Sequence, residues 1–172
     1  MVSYVLAVVT GVLLLLADQF TKFYISSNFE MYELHKFIPG ILDIVYIHND
    51  GGAWGMLGGY TWILLSLTIV IMLVCITLLI KYGAKDKFIF WALTLVLSGG
   101  VGNMIDRIFH GGEVIDFLRF GFWTDFPIFN VADCAIVVGA GLLMLYFFKG
   151  LIDEAKQNRL SLEKTLTKKD DE

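Results

Sequence analysis

Two aspartates stand where an apolar chain would be expected to carry none. Asp116 lies in Val114-Ile115-Asp116-Phe117 and Asp133 in Phe129-Asn130-Val131-Ala132-Asp133, each among apolar residues, the second opening a long hydrophobic run. An ionisable group at membrane depth is costly, so its default reading is functional. Two unit charges about 4 Å apart at an effective dielectric near 20 repel by roughly 4 kcal/mol, or about three pKa units. Carboxylates brought that close share one proton near neutral pH. The ionised member can take a proton from water, and the protonated member can donate to a carbonyl or a leaving amine. That is peptide hydrolysis with neither a covalent intermediate nor a metal.

Each aspartate also has a plainer explanation. Asn130 can cap the last apolar helix, with Asp133 three residues on as the short arm of a capping box, where its charge suits the positive helix end. Asp116 can pair with Arg107 or Arg119. Other polar residues occur at helical spacing: Asp18 with Lys22, and Asn103 with Arg107, each four apart and so on one helix face. Lys22 reads slightly better as a side chain snorkelling to the interface than as a substrate contact, and Asp106-Arg107 as a helix-end charge cluster. Asn49 fits a turn. Asn103, an amide within an apolar helix, needs a hydrogen-bond partner and can orient a carboxylate.

Other chemistries lack their parts. No HExxH occurs and His35, His48 and His110 are scattered, which argues against a zinc protease. There is no GxSxG elbow, no P-loop, no GxGxxG and no GxGD. No cofactor or metal is expected.

The elements that must position these residues follow from composition. The chain has 172 residues, 57% of them hydrophobic, with a mean hydropathy of +0.71. That exceeds the apolar share of a soluble domain and predicts an all-α membrane protein with a single bundle at residues 1–150. Four spans are expected, at about 2–20, 60–80, 88–106 and 131–148. The first lacks a basic flank and a small-residue cleavage site, so it reads as a retained helix. A net charge of -4 with no basic patch excludes nucleic acid as a partner. Cys75 and Cys134 lie in apolar runs and read as buried thiols.

Lys81, Lys85 and Lys87 follow the second span, and Lys149, Lys156, Arg159, Lys164, Lys168 and Lys169 follow the fourth. The opposite face has Lys22, Lys36, Arg107 and Arg119. The positive-inside rule then makes both termini cytoplasmic and puts the loops at about 21–59 and 107–130 outside. Ile41 to His48, followed by Asn49-Asp50-Gly51-Gly52, predicts a small β element and turn there. Phe117, Phe120, Phe122, Trp123 and Phe126 are expected at the outer interface. Residues 151–172 form a charged tail that is expected to fray. Glycines at Ser98-Gly99-Gly100-Val101-Gly102 and Gly139-Ala140-Gly141 suit close helix approach, with no chemistry assigned.

Five segments in order carry a resemblance: Asp18-Gln19-Phe20-Thr21-Lys22, Asn49-Asp50-Gly51-Gly52-Ala53-Trp54-Gly55, Gly102-Asn103-Met104-Ile105-Asp106-Arg107, Val114-Ile115-Asp116-Phe117 and Phe126-Pro127-Ile128-Phe129-Asn130-Val131-Ala132-Asp133. Together, over roughly residues 10–145, the chain resembles bacterial lipoprotein signal peptidase, the type II signal peptidase. The resemblance implies an aspartyl endopeptidase of the bacterial cytoplasmic membrane. Such an enzyme cuts prolipoproteins just before the diacylglyceryl-modified cysteine and is blocked by the cyclic peptide globomycin. It implies Asp116 and Asp133 as the catalytic dyad. Asp18, Lys22, Asn49, Gly52, Asn103, Arg107 and Asn130 fall on positions that support the dyad or contact substrate. Trp54 stands where the family more often has Phe, in a loop suited to cover the substrate.

Two other classes use the same residues. A proton-coupled transporter could employ the carboxylates as a relay, but the acids cluster at one face and no repeat is present. A non-catalytic scaffold would need Asp133 only as a cap and Asp116 only as an ion-pair partner.

Overall fold

In a computed structural model, residues 1–51 and 58–170 are described, with side chains through residue 161. Gly52 and Trp54 lie outside the described residues. Among the described residues, four helices are long and apolar enough to cross a membrane: α1 (Val2–Asn28), α2 (Thr61–Leu78), α3 (Lys87–Phe109) and α4 (Val131–Asp170). α2 passes through one π-helical turn, Leu79–Gly83, before the connection to α3. α3 is central and packs against the other three helices. Val5, Leu13, Leu16, Ile63, Leu73, Val137 and Leu145 are among the many exposed apolar residues, the surface expected of helices solvated by lipid.

Small residues set the helix spacing. A Cβ on Gly139 would meet the Ala92 carbonyl oxygen at 2.7 Å, and one on Gly99 would run into the Ala132 carbonyl. α3 and α4 therefore touch backbone to backbone at two levels. At the end of the bundle away from the sheet, Asp86 caps α3 by accepting from the Phe88 and Ile89 amides. Its other oxygen accepts from the Tyr146 hydroxyl at 2.7 Å, which ties α4 to the start of α3.

The tail expected to fray is helical: α4 is 40 residues long and continues through Asp170. At 1.5 Å per residue that is about 60 Å, twice the ~30 Å hydrocarbon core. The residues from Leu151 onward are mostly Leu, Ala, Glu, Gln, Lys and Arg with no Pro. Such residues extend an existing helix without a new nucleation cost.

The β element has three antiparallel strands in the order β1-β2-β3: β1 (Leu34–Ile38), β2 (Leu42–Asn49) and β3 (Val114–Phe120). β3 falls where only a loop was expected, because Asp116 and Arg119 interrupt its apolar pattern. The turn from α3 into β3 uses Gly111 and Gly112 at φ 65° and 103°, a backbone region that side chains disfavour. In β2–β3, Asn49 faces Val114, His48 faces Ile115 and Ile47 faces Asp116. The sheet packs on the end of α1 through Ile25, Tyr46, Ile115 and Phe117, with Phe29 and Val131 against them. Phe117, expected as an interface anchor, is thus core, at 4% exposure. Phe122 and Trp123 are exposed.

Beyond β3 the chain folds back on it. Phe129 donates its amide to Leu118 O at 2.9 Å and accepts from the Leu118 amide at 2.8 Å. This hook delivers Asn130 and the start of α4 to the side of Asp116.

Candidate active site

Asp116, buried on β3, accepts one hydrogen bond on each oxygen: from Asn130 Nδ2 at 2.6 Å and from Asn49 Nδ2 at 2.7 Å. Asp133, in the first turn of α4, accepts from Asn103 Nδ2 at 2.7 Å and from the Asn130 amide at 3.1 Å. Asn130 Oδ1 in turn accepts from the Asp133 amide at 2.9 Å. The capping box is therefore present, and it does not exhaust Asp133: one carboxylate oxygen caps, the other faces Asn103. Asn130 is fully buried and bonds to both carboxylates. Among the described residues no ion pair joins Asp116 to Arg107 or Arg119.

Lys22 does not snorkel. It is 2% exposed, and its ammonium lies 2.9 Å from Asp18 Oδ2, 2.9 Å from Asp106 Oδ2 and 3.0 Å from Asn103 Oδ1. Three donors meet three acceptors, the full capacity of an ammonium. Each flanking carboxylate then holds the backbone just before one of the paired aspartates. Asp18 Oδ1 accepts from the Ala132 amide at 2.9 Å, and Asp106 Oδ2 accepts from the Ile115 amide at 3.1 Å. Gln19 links the two by donating to Asp18 and Asp106, both at 3.1 Å. Lys22 is thereby the hub joining α1 to the starts of α4 and β3.

Asp106 and Gln19 were not singled out from the sequence. Asp106 read as a helix-end charge, although its spacing of three from Asn103 puts both on one face of α3. Gly102 has a local role as well: a Cβ there would lie 2.6 Å from Asp18 Oδ2.

The carboxylates open onto a cavity of about 530 Å³ lined by Asn49, Asn103, Arg107, Asp116 and Asp133 on its polar side. Phe120, Phe126, Phe129, Ile136 and Val137 supply apolar wall. Arg107 lines it with its Nε buried and, among the described residues, without a hydrogen-bond partner. Cys75 is buried as expected, but Cys134 is exposed and borders the cavity, since it follows Asp133 on the outward side of α4. Burial, then the neighbouring charge of Asp133, push the Asp116 carboxyl up to about 7 against the downward pull of its Asn49 and Asn130 hydrogen bonds and of Lys22. Asp116 therefore exchanges a proton near neutrality.

The fold is that of a multi-pass membrane protein capped by a small antiparallel sheet. Residues 10–149 match the family described as signal peptidase (SPase) II. The chain is 36% identical over 160 residues to the lipoprotein signal peptidase of Halalkalibacterium halodurans, spanning 92% of this chain and 97% of that one. To the lipoprotein signal peptidase of Bacillus pumilus it is 39% identical over 140 residues, 81% of this chain and 88% of that one. Two solved bacterial membrane enzymes, determined by the in meso method, superpose with TM-scores of 0.78 and 0.76 at 33% identity. They cover 83% of this chain and 87% and 92% of their own. The chain belongs to the signal peptidase II family, and is thus a peptidase that removes signal peptides from prolipoproteins.

Proposed function

We propose that Asp116 and Asp133 form an aspartyl dyad that activates water to cut a prolipoprotein just before its diacylglyceryl-modified cysteine. The carrying observation is Asn130, which bonds to both of the carboxylates that line one cavity. The ionised carboxylate takes a proton from water as the water oxygen attacks the scissile carbonyl. The protonated carboxyl gives its proton to the carbonyl oxygen, forming a neutral gem-diol. Collapse of the diol returns a proton from its hydroxyl to the dyad, breaks the C–N bond and passes a proton to the leaving amine. Asn49, Asn103 and Asn130 hold the carboxylates, and Arg107 presents a cation to substrate carbonyl oxygens in the cavity. Asp18 and Lys22 hold the framework.

Val137 and Val138 border the cavity on an exposed face of α4. A helical signal peptide with acyl chains attached can therefore enter sideways from lipid. With lysines following α2 and α4, the site belongs near the outer leaflet of the bacterial cytoplasmic membrane and both termini are cytoplasmic. Globomycin, a cyclic peptide, occupies the same cavity.

The test is a gel-shift assay of the purified protein with a diacylglyceryl prolipoprotein, a non-lipidated control, and globomycin. Only the lipidated substrate is cut, globomycin stops the reaction, and Asp116→Asn or Asp133→Asn lowers turnover by at least about 10³-fold while the protein still inserts. Near-normal turnover in either variant would refute the dyad.

A further inference from the structure

His48 and Glu113 stand outside the machinery described above, yet they adjoin it. Asn49 is the last residue of β2 and Val114, its partner, the first of β3. A strand end has no further ladder bonds beyond it and opens more easily than the middle. This end presents the Asn49 amide to Asp116. His48, one residue earlier, lies with Nδ1 2.7 Å from Glu113 Oε2 and with Nε2 2.6 Å from the Tyr46 hydroxyl. Glu113 immediately precedes Val114, so the contact crosses from one strand to the lead-in of the other at their common end. A carboxylate can only accept, so Nδ1 carries a proton and donates to it. In the neutral ring Nε2 accepts from the Tyr46 hydroxyl; in the charged ring it donates to the Tyr46 oxygen.

Tyr46 is 8% exposed and packs in the core with Ile25, Ile115 and Phe117. The imidazole is thereby fixed to the buried side of the sheet at one nitrogen and to β3's lead-in at the other. We propose that Tyr46, His48 and Glu113 are positioning residues for the dyad: a hydrogen-bonded chain that clamps the end of β2 so that Asn49 donates to Asp116. This inference rests on the dyad reading above. His48 also faces the His110 ring, with centroids 6.3 Å apart. Asp116 is faced by Asn49, by Asp133 and Asn130 at the start of α4, by Lys22 of α1 and by Arg107 of α3.

The chain acts through Asn49, and the hydrogen bond from Asn49 favours the ionised form of Asp116. Loosening it must therefore move the pH–rate profile to higher pH. The experiment measures kcat and KM from pH 5 to 9 for Glu113→Ala, His48→Ala and the double variant, in the wild-type and Asn49→Ala backgrounds. Each single variant should lose about three- to tenfold in kcat with little change in KM. Its profile should shift up by about half a unit to one unit. The double variant should be no worse than the poorer single one, because both break one chain. In the Asn49→Ala background neither substitution should move the profile further. Unchanged kcat and profile, a uniform loss at every pH that follows a fall in Tm, or an added shift in the Asn49→Ala background would each overturn the proposal. Asp116→Asn in the same assay separates the two ideas. Its inactivity beside a normal Glu113→Ala sinks the clamp alone, whereas its activity sinks the dyad and the clamp together.

Discussion

Lys22 on α1 and Asp106 on α3 form an ion pair of 2.9 Å with both side chains at most 2% exposed. Asp18 completes it from the other side at the same distance. Breaking a buried pair by removing one partner is costly because charge is left without compensation. Lys22→Met would leave two carboxylates facing each other, and should destabilise the protein by about 3–5 kcal/mol. The triple variant Lys22→Met, Asp18→Asn, Asp106→Asn should recover part of the thermal stability. Turnover should recover less, since the new amides hold the Ala132 and Ile115 backbone more weakly. Thermal unfolding in detergent beside a cleavage assay checks both parts.

Two glycines one helix apart should respond in opposite ways. A Cβ on Gly102 would lie 2.6 Å from Asp18 Oδ2 and 3.2 Å from Ala132 Cβ. That oxygen cannot swing away, because Lys22 holds it. Gly102→Ala should cost about 1–3 kcal/mol and depress kcat. Gly141 has nothing within 4 Å of its Cβ position, so Gly141→Ala should be neutral or stabilise by up to about 1 kcal/mol. Comparison of the two Tm values decides it.

Asp116 also makes stability depend on pH. Its folded pKa of about 7 lies above the ordinary 3.8. The folded state therefore holds this proton more tightly than the unfolded one. The resulting stabilisation is complete below about pH 4 and is lost as pH rises to about 7. It amounts to roughly 3–4 kcal/mol, less to the extent that Asp133 takes up the proton instead. Asp116→Asn has no such titration. The difference in Tm, variant minus wild type, should rise between pH 4 and pH 7; a flat difference would mean that Asp116 is ionised throughout.

Chelators should leave turnover unchanged, because the proposed chemistry needs only a shared proton between two carboxylates. Strong inhibition by EDTA that added zinc reverses would point to a metal hydrolase.

The membrane helices were legible because lipid imposes a simple demand, a run of apolar residues long enough to cross. The end of the first helix was not. Asp18, Gln19, Thr21 and Lys22 read as the polar end of a span, but α1 runs on to Asn28. Each of the four finds partners: Asp18, Gln19 and Lys22 in the buried network, and Thr21 on the Ala17 and Asp18 carbonyls. A hydropathy reading counts a polar residue without knowing its partner. The same blindness hid Asp106 and the strand character of Val114–Phe120.

The sequence by itself determined the interactions that close over a few residues. The capping box of Asn130 and Asp133, three positions apart, is of that kind, because one helical turn brings its atoms together whatever the rest of the chain does. The convergence of Asp116 on the same asparagine is different. It needs the Phe129–Leu118 hook, the register of β2 on β3 and the Lys22 hub, all made between segments far apart in the chain. Such contacts form only when the whole bundle is assembled, so only the tertiary structure decided that the two carboxylates share one site.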